Sequence, residues 1–281
     1  LARKTTTSLL FATPRLLKTY AREIPREAFA GLRLVVAGAE KLHKAVADGF
    51  QARFGLRPSE AYGTTELSGV AAVSLPEPPS APQPIATDRN VPDSVGRNLP
   101  GSVAKIVDPR TGAVLPDGQI GLLKIKGPHV MKGYMDKPGK TAAAISDGWY
   151  TTSDLAAMDR EGRLTIVGPK ARFSMLEGEL VPHVTVEELL RQASGSDDAE
   201  FVVTSVKDAA GRERLVALYA GLDGDVTAVR DRTLAGGLRA SWLPATRDFH
   251  QISRIPLNGS GRLDLKTVNE LAARLTAEDA R

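Results

Sequence analysis

Three consecutive segments between residues 32 and 62 constrain the fold of this sequence most. Residues 32–37 form a short run rich in β-branched and apolar side chains, ended by Gly38-Ala39-Glu40. Residues 41–54 then place Leu42, Val46, Phe50 and Phe54 at a spacing of four, the repeat of one helix face, and Gly55 stops the pattern. Ala61-Tyr62 begins the next segment. Strand, helix and strand at this spacing predict a parallel α/β unit, whose ligands are expected at the carboxyl ends of its strands. Gly38-Ala39-Glu40 and the stretch after Tyr62 both fall at such ends. Upstream, residues 5–12 read as a further strand, and Pro14 opens a helical pattern running to Ala21.

Beyond this unit the texture changes twice. Residues 75–98 carry Pro76, Pro78, Pro79, Pro82 and Pro84 and read as an extended surface loop. Short apolar runs separated by turn signals such as Pro116-Asp117-Gly118 continue to Lys126, a β-rich pattern. A short helix is expected over residues 141–145 and a strand over 163–167. After Gly168, helices are expected over residues 184–192, 226–242 and 268–276, with strands over 200–206, 215–221 and 249–255. The fold class is α/β. Residues 1–93 are expected to form part of a large parallel α/β subdomain, residues 94–167 a small β-rich subdomain, and residues 168–281 an α+β domain of ordinary size.

Composition excludes several classes. The 281 residues contain no apolar run of eighteen, hence no membrane-spanning helix, and no cysteine, hence no disulfide framework or zinc–thiolate site. A net charge of +4 comes from interspersed Lys, Arg, Asp and Glu, without the arginine-rich, aromatic-interleaved patches of nucleic-acid binders.

The chemistry concentrates in Tyr62-Gly63-Thr64-Thr65-Glu66. Gly63 has no β-carbon and lets backbone approach a flat ligand. Tyr62 offers an aromatic face to a purine. Thr64 and Thr65 offer hydroxyls to phosphate oxygens, and Glu66 is a hard oxygen ligand suited to Mg²⁺. On these residues alone, a strand end followed by a capped turn remains open.

This stretch resembles the Tyr-Gly-x-Thr-Glu signature of adenylate-forming enzymes, and further motifs follow in that family's order. Gly38-Ala39-Glu40-Lys41-Leu42 looks like its Gly-Gly/Ala-Glu-x-Leu segment. The stretch from Gly121 to Gly133-Tyr134 is similar to its Gly-Glu-Leu…Gly-Tyr stretch, and Gly148-Trp149-Tyr150-Thr151-Thr152-Ser153-Asp154 to its Gly-Trp-Tyr-x-Thr-Gly-Asp motif. Residues 168–181 resemble its hinge, and Gly259-Ser260-Gly261-Arg262 resembles its Gly-Thr-Gly-Lys loop.

The resemblance implies an adenylate-forming fold whose residues 168–281 move as a lid, with ATP and Mg²⁺ as cofactors. It implies contact with the nucleotide by Gly38, Ala39, Glu40, Ala61, Tyr62, Gly63, Thr64, Asp154 and Arg172. Asp154 would take the ribose hydroxyls. Thr65, Glu66 and Arg262 would be catalytic, with Glu66 holding the metal. The implied reaction activates a fatty acid as acyl-adenylate and passes it to the phosphopantetheine thiol of acyl carrier protein. The wording of residues 168–181 is closest to acyl-[acyl-carrier-protein] synthetases, which implies a fused or associated acyltransferase. It also implies a cytoplasmic enzyme, associated with membrane only through a region outside the chain. The alternatives are an acyl-CoA synthetase and a catalytically impaired binding homologue. Pro169, Ala171, Met175 and Arg262 depart from the family pattern, where Arg, a charged residue, Lys and Lys are usual. The family's glycine-rich phosphate loop does not occur in the sequence, so the chain is expected to be the C-terminal half of such an enzyme.

Overall fold

The computed structural model describes residues 7–75, 94–196, 198–207, 211–259 and 262–278. Most of the expected proline-rich loop lies outside the described residues. The chain divides into two compact units, residues 1–168 and 169–281.

The first unit begins with β1 (Leu9–Ala12), α1 (Pro14–Glu23), β2 (Leu34–Ala37), α2 (Lys44–Phe54) and β3 (Ser59–Thr64). β1, β2 and β3 are parallel neighbours, as the strand–helix–strand spacing predicts. Thr13 caps α1 by accepting from the Leu16 amide, and Pro14 occupies its first turn. Leu17, Val35, Ala37 and Phe50 are buried together, so α1 and α2 cover one face of these strands. α2 starts at Lys44, three residues later than its apolar repeat suggests. The Leu42 amide donates instead to Glu60 Oε1 at 3.0 Å, which keeps the preceding residues out of the helix.

β4 (Gly69–Val73), β5 (Gly96–Asn98), β6 (Val103–Val107) and β7 (Gly121–Lys126) follow. Next come α3 (Pro138–Ala144), β8 (Ile145–Ser146), β9 (Trp149–Met158) and β10 (Arg163–Pro169). Gly96–Asn98 is thus a strand, where the loop reading ran on to Asn98. All the strands of this unit join one ten-stranded sheet, in the order β1-β2-β3-β4-β5-β10-β9-β7-β6 with β8 beside β9. The sheet turns from parallel to antiparallel at β3–β4 and continues through β4–β5 pairing across the expected border at residue 93. A second core, built on Leu67, Leu123, Ile125, Tyr150 and Leu164, fills the β-rich part.

The second unit contains the hairpin β11 (Phe173–Leu176) and β12 (Glu179–Pro182), then α4 (His183–Ser194). It continues with β13 (Glu200–Lys207), β14 (Glu213–Ala220), α5 (Val226–Ala235), β15 (Phe249–Gln251) and α6 (Leu265–Glu278). β13 and β14 alternate strictly. Phe201, Val203, Leu215 and Ala217 face α4 and α5, whereas Val202, Val216 and Leu218 face Val268 and Ala272 of α6. Two expectations are corrected. The helix expected to reach Trp242 ends at Ala235, because Gly236 and Gly237 follow and Gly237 adopts φ 97°. The strand expected to reach Ile255 ends at Gln251, three residues being enough to pair with β14.

His183, at the start of α4, is 2% exposed, and its Nε2 lies 2.7 Å from the Ser174 hydroxyl. Burial, reinforced by the nearby Arg172 charge, pushes its pKa down to about 4. An unfolded His titrates near 6.5. Between these values the unfolded chain binds more protons, so the stability of this unit falls as pH drops from about 6.5 to about 4 and levels off below. Urea unfolding followed by Trp242 fluorescence in a Trp149→Phe background should show this slope, and His183→Gln should flatten it. An unchanged slope in His183→Gln would assign the pH dependence elsewhere.

Candidate functional site

The carboxyl ends of β2 and β3 are adjacent, with Ala37 opposite Glu60. Past β2 the Gly38 amide donates to the Ala12 carbonyl, and Ala39 turns the chain at φ 70°, a conformation rarely taken by residues with a β-carbon. Glu40 is exposed just beyond. A β-carbon on Gly38 would sit 3.8 Å from the Ala61 carbonyl oxygen, so the loop after β2 lies against the strand that carries the Tyr-Gly-Thr-Thr-Glu stretch. The Leu42–Glu60 hydrogen bond holds it there.

β3 buries Ala61 and Tyr62 in succession, just before its register shift. The Tyr62 ring is 9% exposed within the second core, and its hydroxyl donates to Asp154 Oδ2 at 2.7 Å, joining residues 92 apart in sequence. Burial first, and then the Asp154 charge, push the Tyr62 phenol up, which keeps it a donor. Asp154, on β9, is fixed from its other side. Its amide donates to Thr152 Oγ1 at 3.1 Å, while the Thr152 hydroxyl donates to the Leu123 carbonyl at 2.9 Å.

Gly63 has a role that its sequence does not reveal. Pairing of β3 with β4 shifts register between Tyr62 and Gly63, and a β-carbon at 63 would lie 1.6 Å from the Gly69 carbonyl oxygen. The protein's own neighbouring strand, rather than an approaching ligand, requires glycine there. Beside it, Thr64 Oγ1 is buried and makes no hydrogen bond among the described residues. A buried hydroxyl without a partner is uncommon and costly.

Thr65 and Glu66 occupy a 3₁₀ turn, Thr65–Leu67, that leaves β3. Thr65 is exposed. Glu66 is anchored twice: its carbonyl accepts from the Met131 amide at 2.8 Å, and its Oε1 accepts from the Tyr134 hydroxyl at 2.9 Å. Burial raises the Glu66 carboxyl, but its backbone hydrogen bond and the hydroxyls of Tyr134 and Tyr150 outweigh this and hold it below the usual range. It is therefore a carboxylate at neutral pH. Burial and the Glu66 charge push Tyr150 up to about 12, while the bond to Glu66 raises Tyr134. Among the described residues no cluster of three or more acidic or histidine side chains could hold a metal. Any divalent cation at Glu66 would draw its remaining oxygens from a ligand and water.

The other two expected site residues lie in the second unit. Arg172 is engaged within the second unit: its guanidinium pairs with Glu187 and donates to the Val203 carbonyl, and its side chain is 11% exposed. Glu187 in turn accepts from the Val203 amide at 2.6 Å. Arg172 thus ties the turn before β11 to α4 and β13. Arg262 is exposed beside a Leu257–Leu263 bridge; the Asn258 amide donates to the Arg262 carbonyl and the Arg262 amide to Asn258 Oδ1. Sequence reasoning overlooked Thr152, Tyr134 and Tyr150, which position Asp154 and Glu66. The only signal for them is that each stands inside or beside a motif noted for another residue.

Residues 1–135 match the family model described as AMP-binding enzyme. The chain is 30% identical over 260 residues to 4-coumarate–CoA ligase 2 of Oryza sativa subsp. japonica, covering 90% of this chain and 43% of that protein. It is 32% identical over 181 residues to a long-chain-fatty-acid–CoA ligase of Salmonella typhimurium, covering 64% of this chain and 30% of that protein. The chain thus spans less than half the length of these relatives. ATP-bound MatB from Rhodopseudomonas palustris superimposes with a TM-score of 0.64 at 25% identity, over 96% of this chain and 53% of its own.

Gly63→Ala should force the β3–β4 bulge apart and destabilise the first unit by roughly 1–3 kcal/mol, the usual cost of overpacking. Urea denaturation followed by Trp149 fluorescence in a Trp242→Phe background measures it. A variant as stable as the parent would show that β4 does not pass this close to residue 63.

Proposed function

We propose that the chain is part of an AMP-forming ligase joining a carboxylic acid to a thiol, a reading supported by the match of residues 1–135 to the AMP-binding enzyme model and by the adenylate-forming fold. The Tyr62–Asp154 bond carries this reading. It sets a carboxylate on β9 beside the carboxyl end of β3, with Oδ2 committed and Oδ1 left for a ribose hydroxyl. The loop Gly38-Ala39-Glu40 and Ala61 would flank the base. Thr64 Oγ1, buried and unpartnered, and the exposed Thr65 would donate to phosphate oxygens. The donor set also fits Mg²⁺: Glu66 would supply one oxygen, and the ion when bound would offset charge on the phosphates.

In the proposed reaction a substrate carboxylate oxygen attacks the α-phosphorus of ATP. An O–P bond forms, the bond to the β-phosphate oxygen breaks, and pyrophosphate leaves. A thiolate then attacks the acyl carbon, and AMP leaves with the bonding electron pair. No covalent enzyme intermediate is needed. The chain's part is to hold the nucleoside through Asp154, to keep Glu66 ionised through Tyr134, and to place fixed donors where charge develops. The cation of Arg262, which stands where the family motif has Lys, would assist adenylation.

The acid is a fatty or related carboxylic acid, as the relatives' names suggest. For the acceptor, those names favour CoA, while the wording of residues 168–181 favours acyl carrier protein; transfer assays with each thiol distinguish them. With no glycine-rich phosphate loop in the sequence, residues 1–281 alone are not expected to make acyl-adenylate. Arg262 in place of Lys supports a second reading, a binding homologue that does not adenylate, because a forked guanidinium does not replace an ammonium.

Glu66→Gln, in the protein expressed from its complete gene, should lower ATP–pyrophosphate exchange at least a hundredfold, with far-ultraviolet circular dichroism unchanged. Exchange at the parent rate would remove Glu66 from the site. A parent protein without exchange would favour the binding homologue.

A further inference from the structure

In β6, β7 and β9, Ile106, Leu123, Ile125 and Tyr150 fill the second core. The alternate residues Lys105, Lys124, Lys126 and Trp149 therefore project from the other face of the sheet. Lys105 and Lys124 are register partners, and Lys126 follows two residues along β7. Like charges directly opposite each other on one sheet face are destabilising. Among the described residues no carboxylate forms an ion pair with any of the three. The neighbouring acids are used otherwise. Asp108 accepts from the Arg110 and Thr111 amides of its own turn, and Asp147 offers Lys126 its main-chain oxygen at 3.0 Å. Lys105 is held as well, its Nζ 4.1 Å from the centroid of the Trp149 ring. Residues 101–150 contain seven Lys or Arg against four Asp, an excess of three in a chain whose net charge is +4.

We propose that this face docks an acidic helix of a partner protein. The charge calls for an anion, and the spacing fits a helix. Opposed strand residues have β-carbons about 4.5–5.5 Å apart, and two residues along a strand span roughly 7 Å. Acidic side chains three or four apart on a helix stand about 5–6 Å from each other, on the same scale. Lys105 and Lys124 are half-exposed and Lys126 is exposed on an open sheet face, whereas small ligands take concave sites. A lipid surface fits less well. Anionic membranes are gripped by clusters of about four to eight Lys and Arg, and the Trp149 ring is already engaged by Lys105. The inference does not depend on the ligase reading.

An alanine-based peptide with Glu three and four residues apart along one face is the probe, and its Gln-for-Glu counterpart is the control. Trp149 emission in a Trp242→Phe background reads the titration. The peptide should bind saturably and be released by salt, while its counterpart should not bind. Lys124→Arg should retain binding. Lys124→Glu should weaken it roughly tenfold or more, because like charges then face each other across the interface. The same variant should raise the urea midpoint, since Glu opposite Lys105 makes a favourable cross-strand pair. Where Lys124→Glu does not fold, Lys124→Gln takes its place for binding and for the midpoint. A parent chain that ignores the peptide, or a Lys124 variant that binds it equally, overturns the inference. So does a variant that loses binding without gaining stability, because the lysines are then not opposed as the inference requires. Tighter binding of phosphatidylglycerol vesicles or of tripolyphosphate through the same lysines overturns it in favour of a lipid surface or a small phosphorylated ligand.

Discussion

One hydrogen bond organises the candidate site. The Tyr62 hydroxyl and the Asp154 carboxylate meet at 2.7 Å across 92 residues, linking β3, where parallel pairing ends, to β9 in the antiparallel part of the sheet. A hydrogen bond to a charged group contributes about 1.5–3 kcal/mol, more than a neutral one. Here it also selects a conformation. With Oδ2 engaged by Tyr62 and the main chain pinned by Thr152, Asp154 has one carboxylate oxygen to offer and a fixed direction in which to offer it.

The turn after β3 follows the same logic. Glu66 is half-buried, and burial alone would favour its neutral form; the surrounding hydroxyls reverse that and keep it anionic. Tyr134 reaches Glu66 from the segment after β7, so the β-rich part of the sheet supplies the groups that set the state of a residue on the α/β part. The two parts share one sheet and have separate cores, and the candidate site lies where the pairing turns from parallel to antiparallel.

Much of this was legible in the sequence because it is local. The helix period in residues 41–54 and the β-branched run before it specify a parallel unit, and the apolar runs within residues 200–206 and 215–221 mark two strands. What was not legible depends on distant partners. The late start of α2 depends on Glu60, eighteen residues beyond Leu42. Gly63 looks like a concession to a ligand until the Gly69 carbonyl is found where its β-carbon would be. Arg172 stands in a motif yet is committed to Glu187. Tyr134 and Tyr150 are ordinary tyrosines until folding gathers them around Glu66. The helix expected to reach Trp242 differs, since the signal that ends it at Ala235, Gly236-Gly237, is local.

The central claim is that Asp154, held by Tyr62, grips a nucleoside. Isothermal titration of AMP into the protein expressed from its complete gene tests it, using the parent, Tyr62→Phe, Asp154→Ala and the double variant. The account predicts that Asp154→Ala weakens binding tenfold or more, about 1.4 kcal/mol. Tyr62→Phe should weaken it less, and should add nothing once Asp154 is gone, because it acts only through that carboxylate. Parent affinity in Asp154→Ala, or losses that simply add in the double variant, would contradict it.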